Sequence, residues 1–386
     1  MKDHVSHGLA ETTAARRLLI VLPSLGGGGA ERATVDLIRG LGQRPITITL
    51  ALFSATGQFK EQVPPGVRIV DLRGRLRYDL RLVWRLAQLI RRERPVVIMS
   101  VLRYANLITL LARQLSRVRI KVIVNEQNLP SAEFALFGGT QLKRLALRWL
   151  YPLADQVTTI SHGIAAELSD VCHLPPRKIR VIPNPVDLER ITKLAGVRPE
   201  HPWFSGTVPV VVAVGRLHPQ KGFESLVRAF AAVRRETAAK LLILGEGPLR
   251  PQIEQLAGNL GLESDVALPG FQDNPYGYMA HATVFVLSSL YEGFGNVLVE
   301  ALALGVPVIS TRCPVGPEEI LSDGHTGILV PPADEDALAQ AILRVLRDST
   351  LRSQLASQGR RRARDYALEN IVAEYSTLIQ TLAGGA

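Results

Sequence analysis

The chain has 386 residues, 47% of them hydrophobic and 21% charged, which excludes a disordered protein and leaves room for two domains with separate cores. Its formal net charge of +10 calls for an anionic partner, but no nucleic-acid motif accompanies it and aromatic residues are only 5%, so nucleic acid is set aside. Cys172 and Cys313 lie far apart in sequence, offer no disulfide framework and fit a reducing cytoplasm.

Residues 1–15 read as a flexible N-terminus. The run LLIVLPSL (18–25) resembles the apolar part of a signal peptide, but a long polar segment precedes it and GGGGAER follows without a cleavage site, so it reads as a strand. No stretch reaches the roughly 20 apolar residues of a spanning helix. After the glycines come the helix AERATVDLIRGL and the strands ITITLALF and VRIVDL. Residues 73–94 then carry eight arginines interleaved with Leu80, Trp84, Leu86 and Ile90 at helical spacing. With RQLSRVRIK and KRLALRWLYPL further on, this basic amphipathic pattern fits an anionic membrane surface or an ordinary solvated helix face. PVVIMSVL, ANLITLLARQL, IKVIVNEQ, a helix around 141–151 and QVTTIS complete a first half of alternating strands and helices.

Proline density rises between 182 and 203, as suits a linker, here taken as 191–207 between an N-terminal domain (16–190) and a second one (208–367). The plan restarts with VPVVVAVG, FESLVRAFAAVRRE, AKLLILG, LRPQIEQLAGNLG, DVALPGF, ATVFVLSS, NVLVEALALG, VPVIST and GILVPP, and two helices at 334–348 and 350–382 close the chain. The last part, 368–386, is expected to pack back on the N-terminal domain. The expected architecture is α/β: two Rossmann-like, doubly wound domains facing across a cleft.

In such sheets ligands bind beyond the carboxyl ends of the strands. There the second half places Arg216 and Lys221 on one loop, a pair able to clamp a diphosphate with a fork and a point charge. Glu246 follows the next strand, and Glu292 another. Glu300 lies in an apolar helix capped by Gly305, so its carboxylate needs donors. Sugar hydroxyls would supply them, and so would a neighbouring arginine. Gly293 and Gly295 allow close backbone approach at a helix N-terminus, and Gly28 and Gly29 do the same in the first half. GGGGAER is defective as a dinucleotide fingerprint, because Glu31 or Arg32 stands where the third glycine belongs.

GGGGAER, VIPNPVD, GRLHPQKGFE, GEGPL, LPGFQDNPYGYMAHATVFVLSSLYEGFGNVLVEALALGVPVIST and CPVGPEEILSDGHTGILVPP together resemble the retaining glycosyltransferases of family 4, which have the GT-B fold. The similarity spans roughly 17–375. Its most specific element is the spacing of Glu292 and Glu300, and it leans towards members that extend lipid-linked or surface polysaccharides. The resemblance implies that Glu300 holds the ribose of a nucleotide-diphosphate sugar, UDP favoured over GDP, and that Glu292 lies near the transferred sugar. It implies that Arg216 and Lys221 neutralise the leaving diphosphate, with backbone N–H groups of Phe294, Gly295 and Asn296. Gly28 and Gly29 would face the phosphates from the opposite domain, and the base would stack around Leu268 to Phe271. The acceptor would be a saccharide, polyprenyl-diphosphate-linked, at the inner face of the membrane. Two rival readings are a sugar-nucleotide epimerase of the same fold and a non-catalytic nucleotide-sugar-binding protein.

One departure stands out. Many relatives carry a histidine after the strand that here ends in Glu126, Gln127 and Asn128. Gln127 or Asn128 can hydrogen-bond a sugar but not act as acid or base, and His162 is the nearest alternative histidine. No metal or other cofactor is expected: the D-x-D formed by Asp334 and Asp336 reads as a helix cap. Cys313 reads as a packing residue, and Glu246 and Glu319 as helix caps or cleft supports.

Overall fold

The computed structural model describes residues 16–26, 28–74, 79–131, 140–313, 315–321 and 324–384. The expected flexible segment 1–15 and residues 75–78 of the basic stretch lie outside it.

The first half is a seven-stranded parallel sheet of β1 (Arg16–Leu22), β2 (Ile46–Leu52), β3 (Arg68–Asp71), β4 (Val97–Val101), β5 (Lys121–Glu126), β6 (Gln156–Thr159) and β7 (Ile179–Val181), ordered β3-β2-β1-β4-β5-β6-β7. The second is a six-stranded parallel sheet of β8 (Val210–Val214), β9 (Lys240–Leu244), β10 (Val266–Gly270), β11 (Val284–Leu287), β12 (Val308–Thr311) and β13 (Ile328–Val330), ordered β10-β9-β8-β11-β12-β13. Strands such as LLIVL of β1 are apolar without alternation because helices cover both faces of the sheet. Each strand order reverses beside the strand that opens its half, β1 or β8, and the loops after those strands enter the cleft.

Three expectations need correction. A seventh strand, β7, joins the edge of the first sheet; with three half-buried residues it is too short to show a period. The proline-rich stretch assigned as a linker holds a helix, Leu188–Ala195, started by the Asp187 carboxylate accepting from Arg190 N at 2.9 Å. That helix packs on helices Pro275–Ala280 and Asn296–Leu304, and Asn274 Nδ2 donates to Leu194 O at 2.9 Å, so this part of the linker is held against the second domain. The expected helix 350–382 is two, Ser349–Ala363 and Leu368–Gly384, separated by the turn Arg364–Tyr366. There the chain crosses back: Val186 N donates to Tyr366 O (2.9 Å) and Leu368 N to Val186 O (3.0 Å).

Helix Leu368–Gly384 lies against helix Gly29–Leu41 of the first half, where Gly40 leaves room for Val372. Its Leu368, Ile371, Tyr375 and Ile379 join the core beneath β1 and β2, and the Tyr375 hydroxyl accepts from Asn125 Nδ2 at 3.1 Å. The chain thus ties its two halves together twice, through the 182–209 segment and through its last helix.

Candidate active site

The β8 and β11 loops are bonded to each other: Gln220 Nε2 donates to Tyr291 O (3.0 Å), and Leu290 N donates to Gln220 O (2.8 Å). This brings Lys221 to Glu292, with Nζ 2.5 Å from Oε1 and the Ser289 hydroxyl donating to the same oxygen at 2.6 Å. Glu292 is buried, so its carboxylate depends on these partners. Arg216, on the same loop as Lys221, is exposed, and its charge reaches Glu31 across the cleft as well as Tyr291.

Glu300 is buried in helix Asn296–Leu304, whose apolar sequence places side chains in contact all round. Its partner comes from the other domain. Arg32 in helix Gly29–Leu41 puts Nη1 3.8 Å from Glu300 Oε1 and donates to the Tyr276 hydroxyl at 2.6 Å, and that hydroxyl lies 3.4 Å from the same carboxylate oxygen. The guanidinium is stacked over the rings of Phe59 and Tyr276, 5.0 and 5.6 Å from their centroids. Burial pushes the Glu300 carboxyl above the ordinary range, and Arg32 opposes it. Arg32 is thus the neighbouring arginine that the sequence allowed for Glu300.

A polar seam continues from this pair. Asn296 Nδ2 donates to Gly29 O at 2.8 Å, and Asn184 Nδ2 donates to Asn296 Oδ1 at 3.1 Å. Gln127 is fully occupied: its Nε2 donates to Asn125 Oδ1 (2.5 Å) and Asn184 Oδ1 (3.0 Å), while its Oε1 accepts from Asn184 Nδ2 (2.9 Å). Gln127 therefore braces the seam, and Asn128 beside it is exposed. Gly293 sits directly on the Gln127 carbonyl, where any Cβ would collide. Gly295, with φ 93°, starts helix Asn296–Leu304 in the left-handed region and aims its first N–H groups at the cleft.

On the first domain, Gly28 caps its helix without a side chain, and the Glu31 carboxylate fills the space beside it. Burial raises the Glu31 carboxyl, against the pull of its own backbone N–H and Arg216. Glu319 accepts from His162 N (2.8 Å) and Gly163 N (2.9 Å), so it caps the helix His162–Cys172 from across the cleft. Phe294 is buried with its ring 5.3 Å from that of Tyr366, while Phe271 is exposed at the end of β10. Glu246 pairs with Arg250 at 2.8 Å, and Asp334 caps its helix by accepting from Ala337 N at 2.9 Å. Cys313 is buried, and burial followed by the nearby Glu292 pushes its thiol up to about 12.

The structure thus brings together Arg216, Lys221, Glu292, Gly295, Asn296 and Glu300 of the second domain with Gly28, Gly29 and Gln127 of the first. It adds Arg32, Tyr276, Asn184 and Ser289, which sequence reasoning did not select. Arg32 was visible only as the residue that spoils a glycine fingerprint. One turn into a helix that starts at the cleft, it is within reach of whatever faces it.

This is the geometry of a GT-B glycosyltransferase: two Rossmann-like domains with charged side chains gathered between their strand ends. Residues 27–190 match the family Glycosyltransferase Family 4, and residues 208–348 match Glycosyl transferases group 1. A Campylobacter jejuni N-acetylgalactosamine-N,N'-diacetylbacillosaminyl-diphospho-undecaprenol 4-alpha-N-acetylgalactosaminyltransferase is 33% identical over 262 residues, 68% of this chain and 70% of its own. The lipopolysaccharide core biosynthesis glycosyltransferase LpsE of Rhizobium meliloti is 30% identical over 335 residues, 86% of this chain and 89% of its own. Among solved structures, Anabaena HepE in complex with UDP superposes with a TM-score of 0.79 at 22% identity, covering 95% of this chain and 100% of that one. The chain belongs to glycosyltransferase family 4.

Proposed function

We propose that the protein transfers a hexose or N-acetylhexosamine, with retention of anomeric configuration and without a metal, from a UDP-sugar to a polyprenyl-diphosphate-linked saccharide during surface polysaccharide assembly, at the cytoplasmic face of a membrane. The observation that carries this reading is the Lys221–Glu292 pair set between exposed Arg216 and buried Glu300, on loops that end the strands of the second sheet. The UDP held by HepE and the diphospho-undecaprenol saccharide in the Campylobacter relative's name support the choice of donor and acceptor.

In this reading Glu300 takes the ribose hydroxyls once the donor enters. As the sugar C1–O bond breaks, positive charge develops on the ring and negative charge on the diphosphate. Arg216, Lys221 and the N–H groups around Gly295 and Asn296 meet that negative charge, the electrostatic contribution that is commonly the largest in such sites. Glu292, already bonded to Lys221, holds the ammonium in place beside the leaving group. The acceptor hydroxyl enters on the departing face and gives its proton to a diphosphate oxygen, so no protein base is required.

The test is product analysis. UDP-sugars are incubated with a short polyprenyl-diphosphate saccharide, with and without EDTA, and the anomeric configuration is read by NMR. The expected result is an acceptor-dependent product that keeps the donor's configuration and forms equally well with EDTA. Donor conversion without acceptor, inversion, or loss of turnover with EDTA would each remove the corresponding part.

A further inference from the structure

Among the described residues, eight of the thirteen large apolar side chains most exposed to solvent lie on one layer of the first domain. The layer is made of helices Arg81–Glu93, Arg103–Ser116 and Thr140–Leu150. Arg91 ties the first two, with Nη2 2.6 Å from Leu115 O, and Arg113 reaches Leu153 O at 2.6 Å just past the end of the third. Leu142 is 76% exposed, Leu80 74%, Trp149 71% and Trp84 54%, and Leu115 and Leu145 extend the same outer surface. These helices carry nine arginines and lysines against a single glutamate; Arg103 is buried against Glu126 and Arg113 pairs with Asp155, and exposed Arg81, Arg91, Arg92, Arg144 and Arg148 make the surface basic.

We propose that this layer is the surface on which the protein lies against an anionic lipid bilayer. Exposed tryptophan and leucine interleaved with arginine match the acyl-headgroup boundary of such a membrane. A second copy docking symmetrically would bring one basic layer against another, which like-charge repulsion disfavours. No helix among the described residues is long and apolar enough to cross a membrane, so the contact is peripheral.

The orientation has a consequence for the acceptor. In a parallel sheet the crossover helices run back against the strands, so their first turns stand at the carboxyl edge that borders the cleft. Leu80 and Trp84 open one helix of the layer, and Leu142 and Leu145 lie in the first half of another. A lipid-linked saccharide leaving the bilayer there has a short path to Lys221 and Glu292. In that respect alone the surface rests on the proposed function.

The experiment is cosedimentation of the full chain with vesicles of phosphatidylcholine alone or mixed with phosphatidylglycerol, at low and high NaCl, alongside turnover on a soluble acceptor. Binding should require the anionic lipid and fall at least about tenfold as salt screens it. Arg144→Ser/Arg148→Ser should lose about fivefold per cation, and Trp84→Ser/Trp149→Ser should also weaken it, all with unchanged soluble turnover. Equal binding to neutral vesicles, variants that sediment like the parent, or a dimer dissolved by the tryptophan changes without loss of vesicle binding would overturn the surface. If vesicles bind and no sugar moves, the surface stands and the transferase reading falls; if sugar moves and vesicles do not bind, the reverse holds.

Discussion

Arg32 of the first domain and Glu300 of the second lie 3.8 Å apart across the cleft, with the Tyr276 hydroxyl 2.6 Å from the guanidinium and 3.4 Å from the carboxylate. The side chain proposed to receive the ribose is therefore held by the opposite domain. Closure brings Glu300 its nearest counter-charge, because Arg32 belongs to the first domain, while Arg190 adds a weaker pull. Only Oε1 takes part in these contacts, so the pairing is compatible with a ligand at the other oxygen.

Arg32→Met should leave Glu300 buried without its counter-charge, at a cost of about 3 kcal/mol if the cleft stays shut, and less if it opens to water. Small-angle scattering should show a larger radius of gyration, and kcat/KM should fall at least about a hundredfold, with partial recovery in Arg32→Lys. The pH dependence has a definite sign. The Glu300 carboxyl is raised in the fold from an ordinary value of 4.5, so the folded state binds the extra proton and stability falls as pH rises above that value. Losing Arg32 widens this window. The stability deficit of Arg32→Met should be largest near neutrality and shrink as pH falls towards 4.5.

Lys221→Ala should reduce kcat by about a hundredfold to a thousandfold, the range for removing one donor to a developing anion. The melting temperature should fall as well, because Glu292 is left buried with the Ser289 hydroxyl but without its counter-charge. Lys221→Arg should restore only part of the rate, since a planar fork replaces a point charge in a space bounded by Gly215.

Gly293→Ala should block the seam without harming either domain. Its new Cβ meets the Gln127 carbonyl, so the loop must withdraw. Circular dichroism should be unchanged while kcat/KM falls and the scattering radius grows. An unaltered radius would show that the loop yields by some other route.

Both thiols should be inert in the folded protein. Burial pushes Cys172 and Cys313 up to about 12, so almost no thiolate exists at pH 8. A thiol reagent should label them only at the rate of unfolding, and prompt labelling of either would contradict the packing described.

Much of this was legible before any coordinates. Apolar runs separated by helical periods gave both sheets, because strands buried on two faces leave a dense sequence signature. β7 escaped because three residues carry no period, and Leu188–Ala195 because the prolines on either side of it look like a linker. Glu292, Lys221 and Glu300 announced themselves as charges at strand ends or in an apolar helix, where their chemistry needs an explanation. Arg32 and Asn184 gave no such signal. Their importance comes from a partner on the other domain, and contacts between residues more than a hundred positions apart are set by how the halves meet, which local pattern does not encode. Gln127, selected by analogy as able to hydrogen-bond a sugar, has its side chain bonded to Asn125 and Asn184 of its own domain, a network that no local pattern marks.

In the proposed function Glu300 and the cationic loop hold a sugar nucleotide. Calorimetric titration of UDP into the native chain and into Glu300→Ala, each with and without EDTA, tests it most directly. One UDP should bind per chain, unaffected by EDTA, with affinity lowered at least about thirtyfold by the substitution, as expected when charged hydrogen bonds to two hydroxyls are lost. Equal affinity in the variant, or no binding of UDP, GDP or ADP to the native chain, would contradict it.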